Sequence, residues 1–259
     1  MSSDSDIRTV VRERYGAIAE KAEGGCAPGG SCCTPGTDCC GETATTGLAE
    51  LGYTEKDAAA IPEGANLGLG CGNPVALGSP EPGETVLDLG SGAGIDAFLA
   101  AREVGPSGRV IGVDMTPAMI DRARANAAKG DYANVEFRLG EIEHLPVSDA
   151  SVELIVSNCV VNLSPDKDQV FREAFRVLRP GGRMLVSDLV LERPLPEETR
   201  NSIEAYVGCV AGASLKADYL RLIRDAGFHD VEIVREGRYA AEPVTSVQVR
   251  AVKPETATP

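Results

Sequence analysis

The stretch from Glu84 to Ile95, ETVLDLGSGAGI, predicts a short apolar strand that runs into a glycine-rich turn and then into a helix. Three glycines alternate directly after Asp88, and their lack of a Cβ lets the backbone turn sharply and approach a ligand closely. The helix starts at the turn, so its unpaired N–H groups and positive dipole end face the same point. A second predicted strand ends in Asp114, whose carboxylate is placed to bind a pair of ribose hydroxyls.

The order of residues in the turn separates this motif from a dinucleotide site. A glycine turn alone also fits a tight strand-to-helix connection that binds nothing, or a G-x-G-x-x-G unit. Here the sequence is Asp-Leu-Gly-Ser-Gly-Ala-Gly, so Asp88 would repel pyrophosphate and attract a ligand with a cationic amino group. The motif resembles the D-x-G-x-G-x-G pattern of class I S-adenosylmethionine-dependent methyltransferases. That resemblance implies a methyl donor in the crevice at the carboxyl ends of the strands.

Composition narrows the function classes. The formal net charge is −14 and the chain has no block rich in Lys or Arg, which disfavours nucleic acid as a partner. The start MSSDSDIRTVVRERYG lacks the apolar core of a signal peptide, and no apolar run reaches membrane-spanning length. We therefore expect a cytoplasmic monomer that binds no membrane, and we expect its eight cysteines to serve as thiols, metal ligands or redox groups.

The rest of the chain alternates predicted strands and helices, which favours a Rossmann-like α/β fold: a mostly parallel seven-stranded sheet with helices on both faces. We predict an N-terminal helix and a mobile cysteine-rich loop over 1–60, a donor-binding core over 61–190, and a lid with C-terminal strands over 191–259. The N-terminal helix is predicted to lie across the core. Strands are predicted near 85–89, 109–113, 134–139, 152–157, 183–190, 230–236 and 245–252, and helices near 95–104, 117–129, 166–178, 197–207 and 215–226.

Three cysteines outside the N-terminal region lie in settings that suit more than packing. Cys159 follows the fourth predicted strand, at the sheet edge where the donor is expected, whereas Cys71 and Cys209 each have a glycine neighbour that leaves the thiol accessible. Each could instead be a small buried apolar residue. Their long separations are unlike the close ligand pairs of zinc ribbons and fingers, so spacing alone favours separate structural roles.

Longer segments narrow the family further. PEGANLGLGCGNP, VIGVDMTPAMI, FRLGEIEHLP, SNCVVNLSPDK and YVGCVAGAS together resemble the arsenite methyltransferases, and the resemblance runs from about Gly41 to Arg238. In that family three cysteines, which correspond to Cys71, Cys159 and Cys209, bind trivalent arsenic, and S-adenosylmethionine supplies the methyl group. The resemblance thus implies an enzyme of arsenic detoxification that acts on arsenite or on its thiol conjugate.

These residue types suit the implied chemistry. Trivalent arsenic is a soft centre that prefers thiolate sulfur, and three thiolates leave its lone pair free to attack a sulfonium methyl. No proton has to leave the nucleophile, so a general base is not needed, and we expect the two histidines, His144 and His229, to be surface or structural residues. Arsenic becomes formally pentavalent in each transfer. The resemblance implies that a protein disulfide forms when it is reduced, and that glutathione or thioredoxin resets this disulfide.

The N-terminal loop contains the remaining cysteines: Cys26, the pair Cys32 and Cys33, and the pair Cys39 and Cys40. Adjacent cysteines hold a tetrahedral metal less easily than C-x₂₋₄-C pairs, which weakens a zinc interpretation. The resemblance implies that a cysteine of this loop, Cys39 or Cys40 or one of the other pair, takes part in the redox step. Animal relatives have a single cysteine here, so the choice stays open, as does simple scavenging of arsenic by the loop.

The same resemblance assigns the donor contacts. The residues of the first turn surround the amino acid part of the donor, Asp114 binds the ribose, Met115 and the segment after the third strand contact adenine, and Asn158 lies beside the sulfonium. Glu143 is expected to be solvated surface, and Leu69 replaces an aromatic residue of eukaryotic relatives. The predicted donor residues are Asp88, Gly90, Ser91, Gly92, Asp114, Met115, Gly140, Glu141, Ile142 and Asn158.

Two rival functions remain open. The first is a methyltransferase that acts on a small organic substrate and has structural cysteines. The second is a metalloid-binding or thiol-sensing protein that keeps the fold but transfers nothing.

Overall fold

The sheet forms the centre of the molecule. The computed structural model describes residues 4–21, 52–239 and 243–255. Its seven-stranded sheet has the order β3-β2-β1-β4-β5-β7-β6, in which the first five strands are parallel and the last two pair antiparallel. This is the class I methyltransferase fold that the sequence predicts. The strands are β1 Thr85–Leu89, β2 Arg109–Asp114, β3 Val135–Leu139, β4 Val152–Asn158, β5 Leu178–Leu191, β6 His229–Arg238 and β7 Val244–Val252.

Apolar side chains cover both faces of the sheet. Along β1, Val86 packs into one core cluster with Phe98 and Ile120, whereas the next residue, Leu87, packs into the opposite cluster with Phe171. Because alternate strand residues point to opposite faces, the nearly continuous apolar run of β1 requires helices on both sides. The helices are α1 Asp4–Lys21, α2 Glu55–Ala58, α3 Pro74–Gly78, α4 Ile95–Val104, α5 Pro117–Lys129, α6 Lys167–Val177, α7 Glu197–Arg200, α8 Ile203–Val207 and α9 Lys216–Asp225.

Two segments differ from the sequence prediction, and one short helix was not predicted. β5 begins at Leu178 rather than near 183, because the strand pairs with β4 on both sides of an irregularity that shifts the register. The helix that was not predicted is α3, directly after Asn73, which caps it by accepting from the Ala76 N–H at 3.0 Å. The single helix predicted over 197–207 is two short helices, and Ser202 caps the second by accepting from the Ala205 N–H at 3.2 Å.

Helix α1 lies across the core, as the sequence predicts. The Arg122 guanidinium on α5 donates to Ala19 O at 3.0 Å, and the Tyr15 hydroxyl donates to Val207 O of α8 at 3.2 Å. α1 therefore contacts both the donor-binding core and the predicted lid. The predicted cysteine loop, including Cys39 and Cys40, lies outside the described residues. Within the described ranges, no helix is both long enough and apolar enough to cross a bilayer.

Candidate active site

A cavity opens at the carboxyl ends of β1, β2 and β4, beneath α1. Nearly all predicted donor contacts are in its wall. Glu141 is not, because its carboxylate faces α1, where Arg12 lies 3.3 Å away. The predicted donor residues that line the cavity are Asp88, Gly90, Ser91, Gly92, Asp114, Met115, Gly140, Ile142 and Asn158.

Buried carboxyl groups line this cavity. Asp88 is 2% exposed, and its Oδ2 has no hydrogen-bond partner among the residues that the structure describes. Burial raises the pKa of Asp88 well above its ordinary value, and the nearby Asp96 and Asp114 raise this pKa further. A buried oxygen without a partner is costly unless a ligand supplies a donor. The wall at Asp88 therefore suits a cationic group that can donate hydrogen bonds.

The glycine turn brings backbone amides to the cavity. Gly90 has φ 68°, and a Cβ there would lie 2.4 Å from Val160, so a side chain is excluded. Gly92 has φ 51°, and its missing Cβ faces open space. The Gly92 N–H donates to Asp114 Oδ2 at 3.0 Å, while the Thr116 N–H donates to the other oxygen at 2.8 Å. The Asp114 carboxylate is therefore held in one orientation at the end of β2.

Two further residues of the wall, Tyr53 and Asp96, were not predicted. The Tyr53 hydroxyl donates to Asp96 Oδ1 at 2.7 Å, and Asn158 Nδ2 lies 3.0 Å from Asp96 Oδ2. Burial raises the Asp96 pKa, and these two bonds oppose the rise. In the sequence, Asp96 is an acid in the first turn of α4, which the helix dipole alone explains. Its position directly after the glycine turn was the available signal.

The prediction that Glu143 is solvated surface was wrong. Glu143 is 4% exposed because α1 covers it. Arg8 of α1 lies 3.1 Å from Glu143 Oε1, and the Ser164 hydroxyl donates to the same oxygen at 2.6 Å. Glu143 therefore fastens α1 over the cavity, a role that depends on packing between residues far apart in the chain.

The three cysteines outside the N-terminal loop meet in one apolar cluster beside the cavity. Cys159 and Cys209 are buried in it, and Cys71 is half-buried against it. Cys71 and Cys159 form a disulfide with a Cα–Cα distance of 5.9 Å, whereas Cys209 is a free thiol that donates to Cys159 O at 3.1 Å. Since two of the sulfurs are bonded to each other, the described residues contain no assembled group of three metal ligands.

Both buried cysteines have an unusual backbone conformation, and one of them has a shifted pKa. Cys159 has φ 57° and Cys209 has φ 63°, so both lie in the left-handed region that residues with a Cβ rarely adopt. Burial and the nearby Asp188 raise the pKa of Cys209 to about 12, while Tyr15 and Lys167 oppose the rise. Backbone strain of the kind seen at Cys159 and Cys209 is typical of functional sites, where surrounding structure holds a residue in an unfavourable conformation.

The histidines lie at the surface, as predicted. His144 and His229 are both exposed, and neither lines the cavity. The wall of the cavity thus contains carboxylates and a cysteine but no histidine base.

The chain is similar to known methyltransferases. Residues 80–227 match the family described as a methyltransferase domain. The arsenite methyltransferase of Halobacterium salinarum is 54% identical over 235 residues, which are 88% of this chain and 59% of that protein. The human arsenite methyltransferase is 38% identical over 55% of this chain and 40% of its own length. The chain spans about three-fifths or less of these relatives.

A solved structure adds the same likeness in three dimensions. It is an arsenic(III) S-adenosylmethionine methyltransferase from Chlamydomonas reinhardtii, with 35% identity and a TM-score of 0.65. The similarity covers 80% of this chain and 74% of that one.

Proposed function

This chain belongs to the arsenite methyltransferase family of class I methyltransferases, and on that premise we propose that it methylates trivalent arsenic with S-adenosylmethionine. One observation supports this most: Cys71, Cys159 and Cys209, from three remote segments, meet beside a cavity with buried carboxylates. The cavity and the cluster share Cys159, so a donor and a thiol-bound metalloid would be neighbours.

The cavity fits the donor. When bound, S-adenosylmethionine supplies an electrophilic methyl group on a sulfonium. The unpartnered Oδ2 of Asp88, together with Asp96, would hold the donor's ammonium group, and the fixed carboxylate of Asp114 would accept from the ribose hydroxyls. Ser91 Oγ also lacks a partner among the described residues and lines the same cavity. The remaining donor contacts would be Gly90, Gly92, Met115, Gly140, Ile142 and Asn158, which all line the cavity.

The cysteine cluster fits the substrate once it is reduced. A thiol reductant, glutathione or thioredoxin, would cleave the Cys71–Cys159 disulfide and become a disulfide itself. Each of the three thiols would then replace one hydroxyl of arsenite, and each hydroxyl would leave as water. Sulfur ligation keeps the arsenic lone pair available. The free Cys209, held against Cys159 O, would be the third ligand.

The methyl transfer itself requires mainly that the protein align the donor methyl group with arsenic. The nucleophile is a lone pair and loses no proton, in agreement with a cavity wall that lacks histidine in the described residues. Helix α1, fastened through Arg8 and Glu143, would exclude water above the reacting atoms. Alignment of two bound reactants can supply several kcal/mol of the barrier, about 7–11 in the most favourable cases.

Reduction of pentavalent arsenic would then complete each cycle. We assign this step to a cysteine of the N-terminal loop, Cys39 or Cys40, on the strength of the family resemblance: its thiol would attack one arsenic-bound thiolate sulfur, form a disulfide with it and lose a proton, and the two electrons of the broken As–S bond would stay on arsenic. Glutathione or thioredoxin would restore the thiols. We place the reaction in the cytoplasm, where such thiols stay reduced, and assign it to a monomer.

Incubation of the reduced protein with labelled donor, arsenite and thiol tests the proposal. Methylated arsenic is the expected product. Arsenite binding without any product would instead indicate a metalloid-binding protein. Failure to bind arsenite, with transfer to an organic acceptor, would indicate a small-molecule methyltransferase with structural cysteines.

A further inference from the structure

A hydrogen-bonded triad of two buried residues, Tyr53 and Asp96, and the half-buried Asn158 connects the donor cavity to the loop that holds Cys71. The Tyr53 hydroxyl donates to Asp96 at 2.7 Å and lies 3.1 Å from Asn158 Nδ2, which in turn lies 3.0 Å from Asp96. All three side chains line the donor cavity. None of them contacts the sulfur of a cysteine through these bonds, so their connection to the cluster runs through backbone atoms.

Asn158 makes that connection with both ends of its carboxamide. Its Oδ1 accepts from the Cys71 N–H at 2.9 Å, and its Nδ2 lies 2.7 Å from Gly72 O. The side chain therefore grips the backbone on both sides of the Cys71 Cα. In the reverse direction, the same Nδ2 reaches Asp96, so one amide group contacts the donor wall and the cysteine loop together.

The sequence around Cys71 permits this close approach. A Cβ at Gly70 would lie 2.8 Å from Asn158 Nδ2, and a Cβ at Gly72 would lie 2.3 Å from Ser187 Oγ. Ser187 Oγ is itself 3.8 Å from Cys71 Sγ. The two glycines let the loop press on the Asn158 amide and on β5, which fixes where the Cys71 sulfur lies.

The carboxyl group of Asp96 makes the triad sensitive to a cation bound in the cavity. Asp96 and Asp88 are buried carboxyl groups on one wall, and they repel each other when both are ionised. A cation bound between them removes this repulsion. Asp96 then accepts charge-assisted bonds from Tyr53 and Asn158, which are shorter and stronger than neutral ones. Because Asn158 bonds to the backbone at Cys71, stronger bonds to Asn158 also fix that backbone more firmly.

We propose that Tyr53, Asp96 and Asn158 couple the two halves of the site, so that occupation of the donor cavity positions Cys71 for the metalloid. The proposal rests on the proposed function and adds to it. In this account Tyr53 is a positioning residue, which orients Asp96 and Asn158 at once. Because coupling between two binding sites is reciprocal, arsenite bound to the cysteines also tightens binding at the donor cavity.

Linkage of two binding equilibria tests the coupling. The reduced full chain is titrated calorimetrically with S-adenosylhomocysteine, a non-reactive donor product, with and without saturating arsenite. In the wild-type protein we expect arsenite to lower the dissociation constant at least about fivefold. In Tyr53→Phe, which keeps the ring, we expect the ratio to fall below about twofold. A purely structural role would weaken both affinities and leave their ratio unchanged.

Tyr132→Phe is the matched control. The Tyr132 hydroxyl also donates a 2.7 Å hydrogen bond, to Ala60 O, and the Tyr132 ring packs against the core cluster that contains Tyr53. It should retain the wild-type ratio. Gly70→Ala provides a second route to the same loss, because its Cβ would displace the Asn158 amide.

A measurement without arsenic separates this proposal from the proposed function. Reduction of the Cys71–Cys159 disulfide by a small thiol is timed with and without S-adenosylhomocysteine. A rate change of about fivefold or more in the wild-type protein, absent from Tyr53→Phe, supports the coupling even if arsenite does not bind. A wild-type protein with an unchanged rate and an affinity ratio of one overturns the coupling, whether or not it methylates arsenic.

Discussion

Two neighbouring parts of the site are built in different ways: the donor wall of the cavity, and a cysteine wall beside it that shares Cys159 with the cavity. The donor wall, which contains Asp88, Gly92 and Asp114, follows two neighbouring parallel strands and one contiguous turn. The cysteine wall contains Cys71, Cys159 and Cys209, which come from the loop before α3, the end of β4 and the end of α8. Regular structure thus provides the binding of the donor, while irregular segments provide the thiols.

The difference extends to backbone strain. On the donor wall glycines adopt the positive φ angles, at no steric cost, whereas on the cysteine wall two cysteines adopt them. The donor wall is therefore relaxed and determined locally. The cysteine wall is held in place by the packing around it. Substitutions on the two walls should separate donor binding from metalloid chemistry.

The sharpest separation is expected from Cys159→Ser. Loss of one thiolate ligand should reduce arsenic methylation by more than about 100-fold, because oxygen is a poor ligand for soft arsenic. The dissociation constant of S-adenosylhomocysteine should change less than about twofold, since the acids of the donor wall are untouched. Activity is measured with labelled donor and affinity by calorimetry. Full activity in this variant would remove Cys159 from the chemistry.

Asp188, which lies near Cys209, should give the cysteine wall its own pH dependence. Burial raises the pKa of this carboxyl from 3.8 to about 7, while bonds from Leu189, Asn162 and Tyr219 oppose the rise. A raised folded-state pKa gives stability that is complete below about pH 4 and is lost as the pH rises through 7.

The corresponding measurement compares Asp188→Asn with the wild-type protein. Between pH 4 and pH 8, the unfolding free energy of the wild type should fall relative to the variant by at most about 4 kcal/mol. Urea unfolding at each pH, in one fixed redox state, gives both curves. Parallel curves would show that Asp188 titrates normally in the folded protein.

On the donor wall, Asp88→Asn should weaken donor affinity and spare metalloid capture. Removal of one charged hydrogen-bond acceptor costs about 1.5–3 kcal/mol, or about 10- to 160-fold in the dissociation constant. Arsenite binding to the reduced cysteines should not weaken, because the thiols are untouched. Asp121→Asn, an acid-to-amide change on the exposed side of α5, is the control and should alter neither. Equal loss of both affinities would contradict the separation of the walls.

The smallest effect concerns α1, which spans both walls. Glu143→Gln should lower the unfolding free energy by about 2 kcal/mol, because it weakens a buried ionic bond to Arg8. Glu141→Gln, at an ion pair whose carboxylate is 35% exposed, should cost less than about 1 kcal/mol. Urea unfolding measures both. Equal costs would show that burial beneath α1 adds nothing to the Glu143 contact.

The two walls also differ in how far the sequence predicts them. The donor wall follows from one motif, because strand, turn and helix are encoded by neighbouring residues, and the strands agree with the prediction to within about two residues except at β5. The fold is likewise predicted, because helices of recognisable period follow several of the parallel strands: α4 follows β1, α5 follows β2 and α6 follows β4. Local sequence patterns are sufficient to predict those parts of the molecule that neighbouring residues form.

What the sequence does not predict depends on contacts between distant residues. Tyr53 reaches Asp96 only through the fold, and Glu143 is buried only because α1 covers it. Convergence of the cysteines was implied by resemblance and not by spacing. The pairing of Cys71 with Cys159 could not be predicted either, because oxidation depends on geometry as well as on residue type.

The left-handed backbone at Cys159 and Cys209 has an evolutionary consequence. An L-residue with a Cβ is disfavoured there by about 1–2 kcal/mol, whereas glycine escapes that penalty and asparagine tolerates it better. A gene copy released from selection for metalloid chemistry would be free to relieve this backbone penalty by mutating to either residue. Glycine or asparagine at these two positions should therefore mark homologues that no longer carry out the reaction.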